Sequence, residues 1–176
     1  TGAENSAGAV HKEPVELLEY EMPFRLHRLE YRTDSGGAGR WRGGVAVDCE
    51  WEPLNHGQTA RFNGVIDTFP ALGVDGAKST LIEPKLGERR AIDPDGTIRS
   101  SRGDSRIHSE SGGRLELRPP GGGGVGDPFL RDPELVRADV LDGLVSLKGA
   151  ALDYGVVLDP ESLIIDEQKT QELRNQ

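Results

Sequence analysis

Gly121, Gly123 and Gly126 fall at the G-x-G-x-x-G spacing inside RPPGGGGVGDP, residues 118–128. Glycines so spaced can cradle a pyrophosphate, because they let backbone approach the phosphates at a helix N-terminus. That chemistry needs the last glycine inside the first turn of a helix. Here Asp127-Pro128 follows, and a proline holds the residue before it away from the α region. The phosphate cradle fails on context, which leaves a flexible linker or an ordered loop. Pro119, Pro120 and Pro128 frame the run stiffly. We therefore expect Gly121, Gly122, Gly123, Gly124 and Gly126 to form an ordered loop. In it several glycines would take positive φ and let another backbone or a ligand come close.

A second group is Asp34, Arg40 and Arg42, set around the glycine-rich turn DSGGAGRWRGG, residues 34–44. Arginine beside a glycine turn can grip a carboxylate or phosphate in bidentate fashion, so these three are candidates for binding an anion or a partner. A second arrangement serves structure alone: Asp34 caps the turn, Trp41 packs on the core, and the arginines pair with glutamates. Elsewhere the chemistry is sparse. Thr1 has no neighbouring oxyanion donors, and the Arg102-Gly103-Asp104 tripeptide is too short to weigh. Cys49, the single cysteine, excludes an internal disulfide and any C-x-x-C zinc site. The four histidines stand at none of the metal-ligand spacings. No catalytic and no metal residue is assigned.

A net charge of −9 argues against a nucleic-acid surface, despite five arginines between Phe24 and Gly43. No apolar run approaches a membrane span, so the expectation is a soluble, cytoplasmic chain. Apolar residues make up only 35%, while there are 24 glycines and 11 prolines. That composition points to short strands joined by many turns over a thin core.

The elements that must position these residues follow. Residues 1–13 read as a polar arm, 14–128 as a β-rich body and 129–176 as a helical tail. The fold class is α+β, mainly β: a glycine-rich β body followed by two or three short C-terminal helices. After a short helical turn, a strand runs from Pro23 with imperfect alternation, as if both its faces were covered. Val45, Val47, Cys49 and Trp51 alternate with Ala46, Asp48, Glu50 and Glu52, which predicts a strand with the first set buried, Cys49 included, and the second wet. Further strands are expected at Thr59–Phe62, Ser79–Ile82 and Arg114–Leu117, with a turn at DPDG and an exposed polar stretch at SSRGDSRIHSESGG. In the tail Asp132, Pro133, Glu134 and Gly143 delimit a helix through about Asp142. A second helix fits between Ser146 and Gly155, and a third runs from Glu167 to Leu173, opened by Asp166.

RLHRLEYRTDSGGAGRWRGGVAV resembles the region around the D-S-G-G-x-G-x-x-R-G-G signature of the hydantoinase B / oxoprolinase family. PPGGGGVGDPFLRDPELVRADVLDGLVS is similar to that family's closing signature, DYGVVLD to its usual ending, and EPVELLEY to the segment before the first signature. These matches span about residues 14–52 and 114–160, in the family's order.

The resemblance implies part of an ATP-dependent, multi-subunit enzyme. It would act on a cyclic amide (hydantoin, oxoproline or lactam) or carboxylate a ketone, as acetone and acetophenone carboxylases do. It implies two partners, a hydantoinase A-type ATP-binding subunit and the rest of a hydantoinase B-type subunit. ATP and a divalent metal are implied for the complex, with no cofactor bound by this chain. The family's expected metal-holding residues lie upstream of the resembling portion, so the chain is expected to be a split-gene subunit, a proteolytic piece or the remainder of a longer polypeptide. On its own it is expected to be inactive. The other function to weigh is a non-catalytic assembly or scaffold module of such a complex.

Overall fold

The computed structural model describes residues 14–62, 71–77, 87–101 and 105–175. The arm at 1–13, the strand expected at Ser79–Ile82 and the Arg102-Gly103-Asp104 tripeptide lie outside them.

Helix α1 (Val15–Glu21) leads into strand β1 (Phe24–Tyr31), then β2 (Val47–Pro53) and β3 (Gln58–Phe62). Strands β4 (Glu88–Ile92), β5 (Ile98–Ser101), β6 (Ser105–Ser109) and β7 (Arg114–Arg118) follow. The tail is a single 3-10 turn at Pro128–Leu130 and then α2 (Pro133–Leu141), α3 (Leu147–Tyr154) and α4 (Glu167–Arg174). Five strands form one antiparallel sheet in the order β1-β2-β7-β4-β5, and β3 pairs with β6 in a separate ribbon. The class is α+β, mainly β, with seven strands among the described residues.

Alternation gives the sheet two chemically different faces. On one, Leu26, Trp51, Leu115 and Ala91 line up across four strands, and Ile107 of β6 packs against that row. On the other, Arg28, Glu50, Glu116 and Arg90 form the matching row. Arg28 lies 3.1 Å from Glu116 and 3.7 Å from Glu50, Arg114 lies 2.6 Å from Glu50, and Arg90 reaches both Glu116 and Glu88. Asp48 sits between Arg32 and Arg118 at 3.4 and 3.2 Å.

This network inverts part of the expected strand pattern. Asp48 and Glu50, expected wet, are buried in β2 along with Pro53, as is Ala46 just before it, and Cys49 is only half-buried. A carboxylate surrounded by guanidinium groups can leave water where an isolated one could not. Strand β1 departs too. Its register shifts at a bulge between Leu26 and Arg28, which produces the imperfect period. It is also an edge strand with Leu29 and Tyr31 exposed, so its two faces are not both covered.

The helical tail has local causes. Asp132 accepts from the Glu134 amide at 2.9 Å, with Pro133 following. Ser146 accepts from Gly149 at 2.9 Å and Asp166 from Lys169 at 3.0 Å. Gly155, at φ 62°, ends α3 in the left-handed conformation. Val136, Val145, Ala150, Tyr154, Val156 and Leu158 close a core on Ala38 of the glycine-rich turn.

Candidate functional site

The two glycine signatures meet. The Gly37 amide donates to Gly122 O at 2.8 Å, and the Gly122 amide donates to Gly44 O at 2.8 Å. Trp41 and Val125 exchange both backbone bonds at 2.9 Å. On the far side the Val74 amide donates to Gly124 O at 3.1 Å, and the Gly126 amide to Val74 O at 3.0 Å. Residues 121–126 thus form the centre of an irregular three-segment ribbon, with Trp41 antiparallel and Val74 parallel to Val125.

The reason for the glycines is close approach. A Cβ on Gly37 would lie 2.7 Å from the Gly124 nitrogen, and one on Gly39 2.7 Å from that of Val125. One on Gly124 would lie 2.6 Å from the Ala38 carbonyl oxygen. Gly43, Gly121 and Gly123 are tighter still, against Gly122, Ser35 and Leu72 carbonyls. Positive φ was the wrong part of the expectation: within the run only Gly126 has it, at 77°. After Asp127 the chain makes just the single 3-10 turn, whose first free amide, on Phe129, is taken by the Asp127 carboxylate at 2.9 Å.

Of the three polar candidates, the structure turns two inward. Asp34, at φ 57°, accepts from the Ser146 amide at 2.8 Å, and its own amide donates to Leu144 O at 3.0 Å. It ties the glycine turn to the start of α3 rather than capping the turn locally. Arg42 Nε lies 3.1 Å from Asp139 Oδ2, and the same carboxylate accepts from Arg131 Nη2 at 2.8 Å. Arg131 also donates to Arg40 O at 3.1 Å, and its own carbonyl accepts from Arg174 at 2.7 Å. This relay joins the glycine turn, α2 and α4. Arg40 is exposed, and so is Trp41, which does not pack on the core.

Burial sets the titration of the groups beneath. It holds the Tyr154 phenol well above its ordinary value, with Arg131 and Arg42 pulling it back. Burial lowers Arg32, opposed by Asp48, and lowers Arg174, opposed by Asp132 and Asp127.

Asp139 and Arg131 were missed from sequence. Their signal is an aspartate three residues after Val136 on the apolar stripe of α2, where only a paired carboxylate fits. Val74 was missed as well, and the left-handed pair Asp75 and Gly76 beside it marks the turn that delivers it.

The described residues do not fit a metal. Among them no three His, Cys, Asp or Glu side chains converge. His27 meets Glu52 at 2.8 Å and His108 meets Thr59 at 2.8 Å, each on its own strand pair. An open cleft of about 470 Å³ lies between the start of α2 and the length of α4. Of its charged lining, Asp132 is engaged in capping α2, Glu134 faces Arg137 at 3.5 Å, and Arg174 donates to the Tyr154 and Arg131 carbonyls. Among the described residues no helix is long and apolar enough to cross a membrane.

The two glycine signatures interlock within a mainly β fold that carries a capped helical tail. The hydantoinase B/oxoprolinase family description matches residues 2–128, and the chain belongs to that family. It is 44% identical over 152 residues to the caprolactamase subunit beta of Pseudomonas jessenii, covering 86% of this chain and 26% of that one. The crystal structure of the ATP-dependent caprolactamase from Pseudomonas jessenii superposes with a TM-score of 0.80 at 40% identity, over 93% of this chain and 28% of the other. A nucleotide-free acetone carboxylase structure shares the fold, with a TM-score of 0.71 at 22% identity over 93% and 26% of the two chains. The chain spans about a quarter of the length of the relatives it matches.

Proposed function

We propose that this chain is the C-terminal part of a hydantoinase B-type component, and that it works inside an ATP-dependent complex opening a cyclic amide. The observation that carries the reading is the 44% identity to a caprolactamase subunit along 152 residues. Ketone carboxylation, the other chemistry of the relatives, rests on 25% identity to an acetophenone carboxylase subunit and 22% to an acetone carboxylase structure, so the amide is the substrate class proposed. ATP suits such a ring opening, because amide resonance makes the ring carbonyl a poor electrophile until its oxygen is phosphorylated. The partners in this reading are a hydantoinase A-type ATP-binding subunit and the remaining portion of the B-type subunit. ATP and the divalent metal belong to those partners.

Within the complex the chain's role is architectural. Asp34 and Arg42 lock the interlocked glycines to the helical tail, and Arg40 alone of the three candidates offers its side chain outward for partner contact. The assembly-module reading is favoured by this commitment of charged groups to internal pairs.

The test is turnover of caprolactam, oxoproline and hydantoin by the assembled complex, with and without this chain. Loss of ring opening on its removal supports the proposal. Undiminished turnover without it would leave only a peripheral scaffold role.

A further inference from the structure

The ribbon that the glycines build presents an apolar platform. Residues directly opposed across a bridge put their side chains on the same face. Trp41 and Val125 are so opposed, and Val125 is opposed to Val74 on its other side. All three are largely in solvent, at 62%, 41% and 60% exposure, and Leu72, two residues before Val74, reaches 79%. The backbone beneath is held by the reciprocal bonds and the glycine contacts, so the side chains stand on a support that cannot collapse inward. Arg40, next to Trp41 in the chain, is exposed as well, and tryptophan and arginine are both among the residue types enriched where interfaces concentrate their energy.

We propose that this platform, Trp41–Val125–Val74 with Leu72, is the seat of the remaining portion of the hydantoinase B-type subunit, packed there by apolar contact. The proposal rests on the functional reading above and names the surface through which that partner is held. Size selects the occupant. A tryptophan presents roughly 150–250 Å², and with three aliphatic neighbours the patch is on the order of 400 Å², as large as the largest apolar patches on ordinary monomers. Two independent copies need about 800 Å² on each side for a stable contact, so the platform alone does not suffice for a dimer. It does suffice as the apolar centre of a contact completed by the rest of a larger subunit. The chain covers only 26% of the caprolactamase subunit, which leaves such a body to fill the role.

The test introduces a photocrosslinking residue, as Trp41→p-benzoylphenylalanine and separately Val74→p-benzoylphenylalanine, in the protein purified intact from the cells that make it. Ile164→p-benzoylphenylalanine is the control, because Ile164 is equally exposed, at 63%, on the tail. Mass spectrometry before irradiation reports whether hydantoinase B-type sequence beyond this quarter accompanies the chain, fused or separate. Its absence overturns the functional reading itself. Where it is present, crosslinks from 41 and 74 should map to it, with a yield roughly tenfold above the control, as expected of a buried interface centre rather than a rim. Crosslinks to a second copy of this chain, to the ATP-binding subunit alone, or no more than from the control position overturn the platform inference and leave the functional reading standing.

Discussion

Replacing the run's glycines one at a time by alanine tests the interlock, because close approach and positive φ rank the positions differently. At Gly124 the new Cβ would stand 2.6 Å from Ala38 O and 2.8 Å from Gly37 O, both backbone atoms. Relaxed carbon–oxygen contacts lie at about 3.3 Å or more, so one segment must give by some tenths of an ångström. Forced overpacking of this kind costs about 1–3 kcal/mol, against a gain of roughly 0.4–1 kcal/mol from a stiffer unfolded chain. Gly124→Ala should therefore lose about 1–2 kcal/mol net, and Gly121→Ala and Gly123→Ala more, since their contacts are tighter. At Gly122 the nearest atom is 3.2 Å away, so Gly122→Ala should be close to neutral. In a chain of this size each kcal/mol moves Tm by about 2–4 °C, which thermal unfolding by circular dichroism resolves. Equal effects at 122, 123 and 124, or a Gly122→Ala as damaging as Gly123→Ala, would refute the interlock.

Asp139→Ala should cost about 3–5 kcal/mol, because it strands Arg42 and Arg131 without their shared carboxylate; urea unfolding measures it. Asp132→Ala should cost about 1 kcal/mol through loss of the α2 cap, read by the same method. The Glu88 carboxyl, held below its ordinary 4.5 chiefly by the hydrogen bond from Arg90, stabilises the fold above that pH. Its contribution fades as pH falls through the lowered folded value, and Arg90→Met should move the Glu88 titration back up in an NMR pH series.

The tail was legible because its signals are local: Asp132, Ser146 and Asp166 each cap their own helix, and Gly155 stops α3. The first signature turn and the closing run were legible as glycine segments, yet nothing local says that they touch. That contact joins residues about 80 positions apart, and only Gly39, Gly43, Gly121 and their neighbours meeting in space reveal why alanine is excluded. Strands β4, β5 and β6 escaped because their outward positions carry Glu88, Arg90, Ser100 and Arg106, which read as loop. The same ion pairs hid the burial of Asp48 and Glu50, since alternation reports polarity and not partnership.

The central claim is that the chain acts only within a larger ATP-dependent assembly, and reconstitution tests it most directly. ATP hydrolysis and caprolactam ring opening are measured for the chain alone, for the partner subunits alone, and for the three combined, with divalent metal present throughout. The expected result is no turnover from the chain alone and ring opening only when all components are combined. Turnover by the isolated chain, abolished by a substitution within it, would contradict that claim.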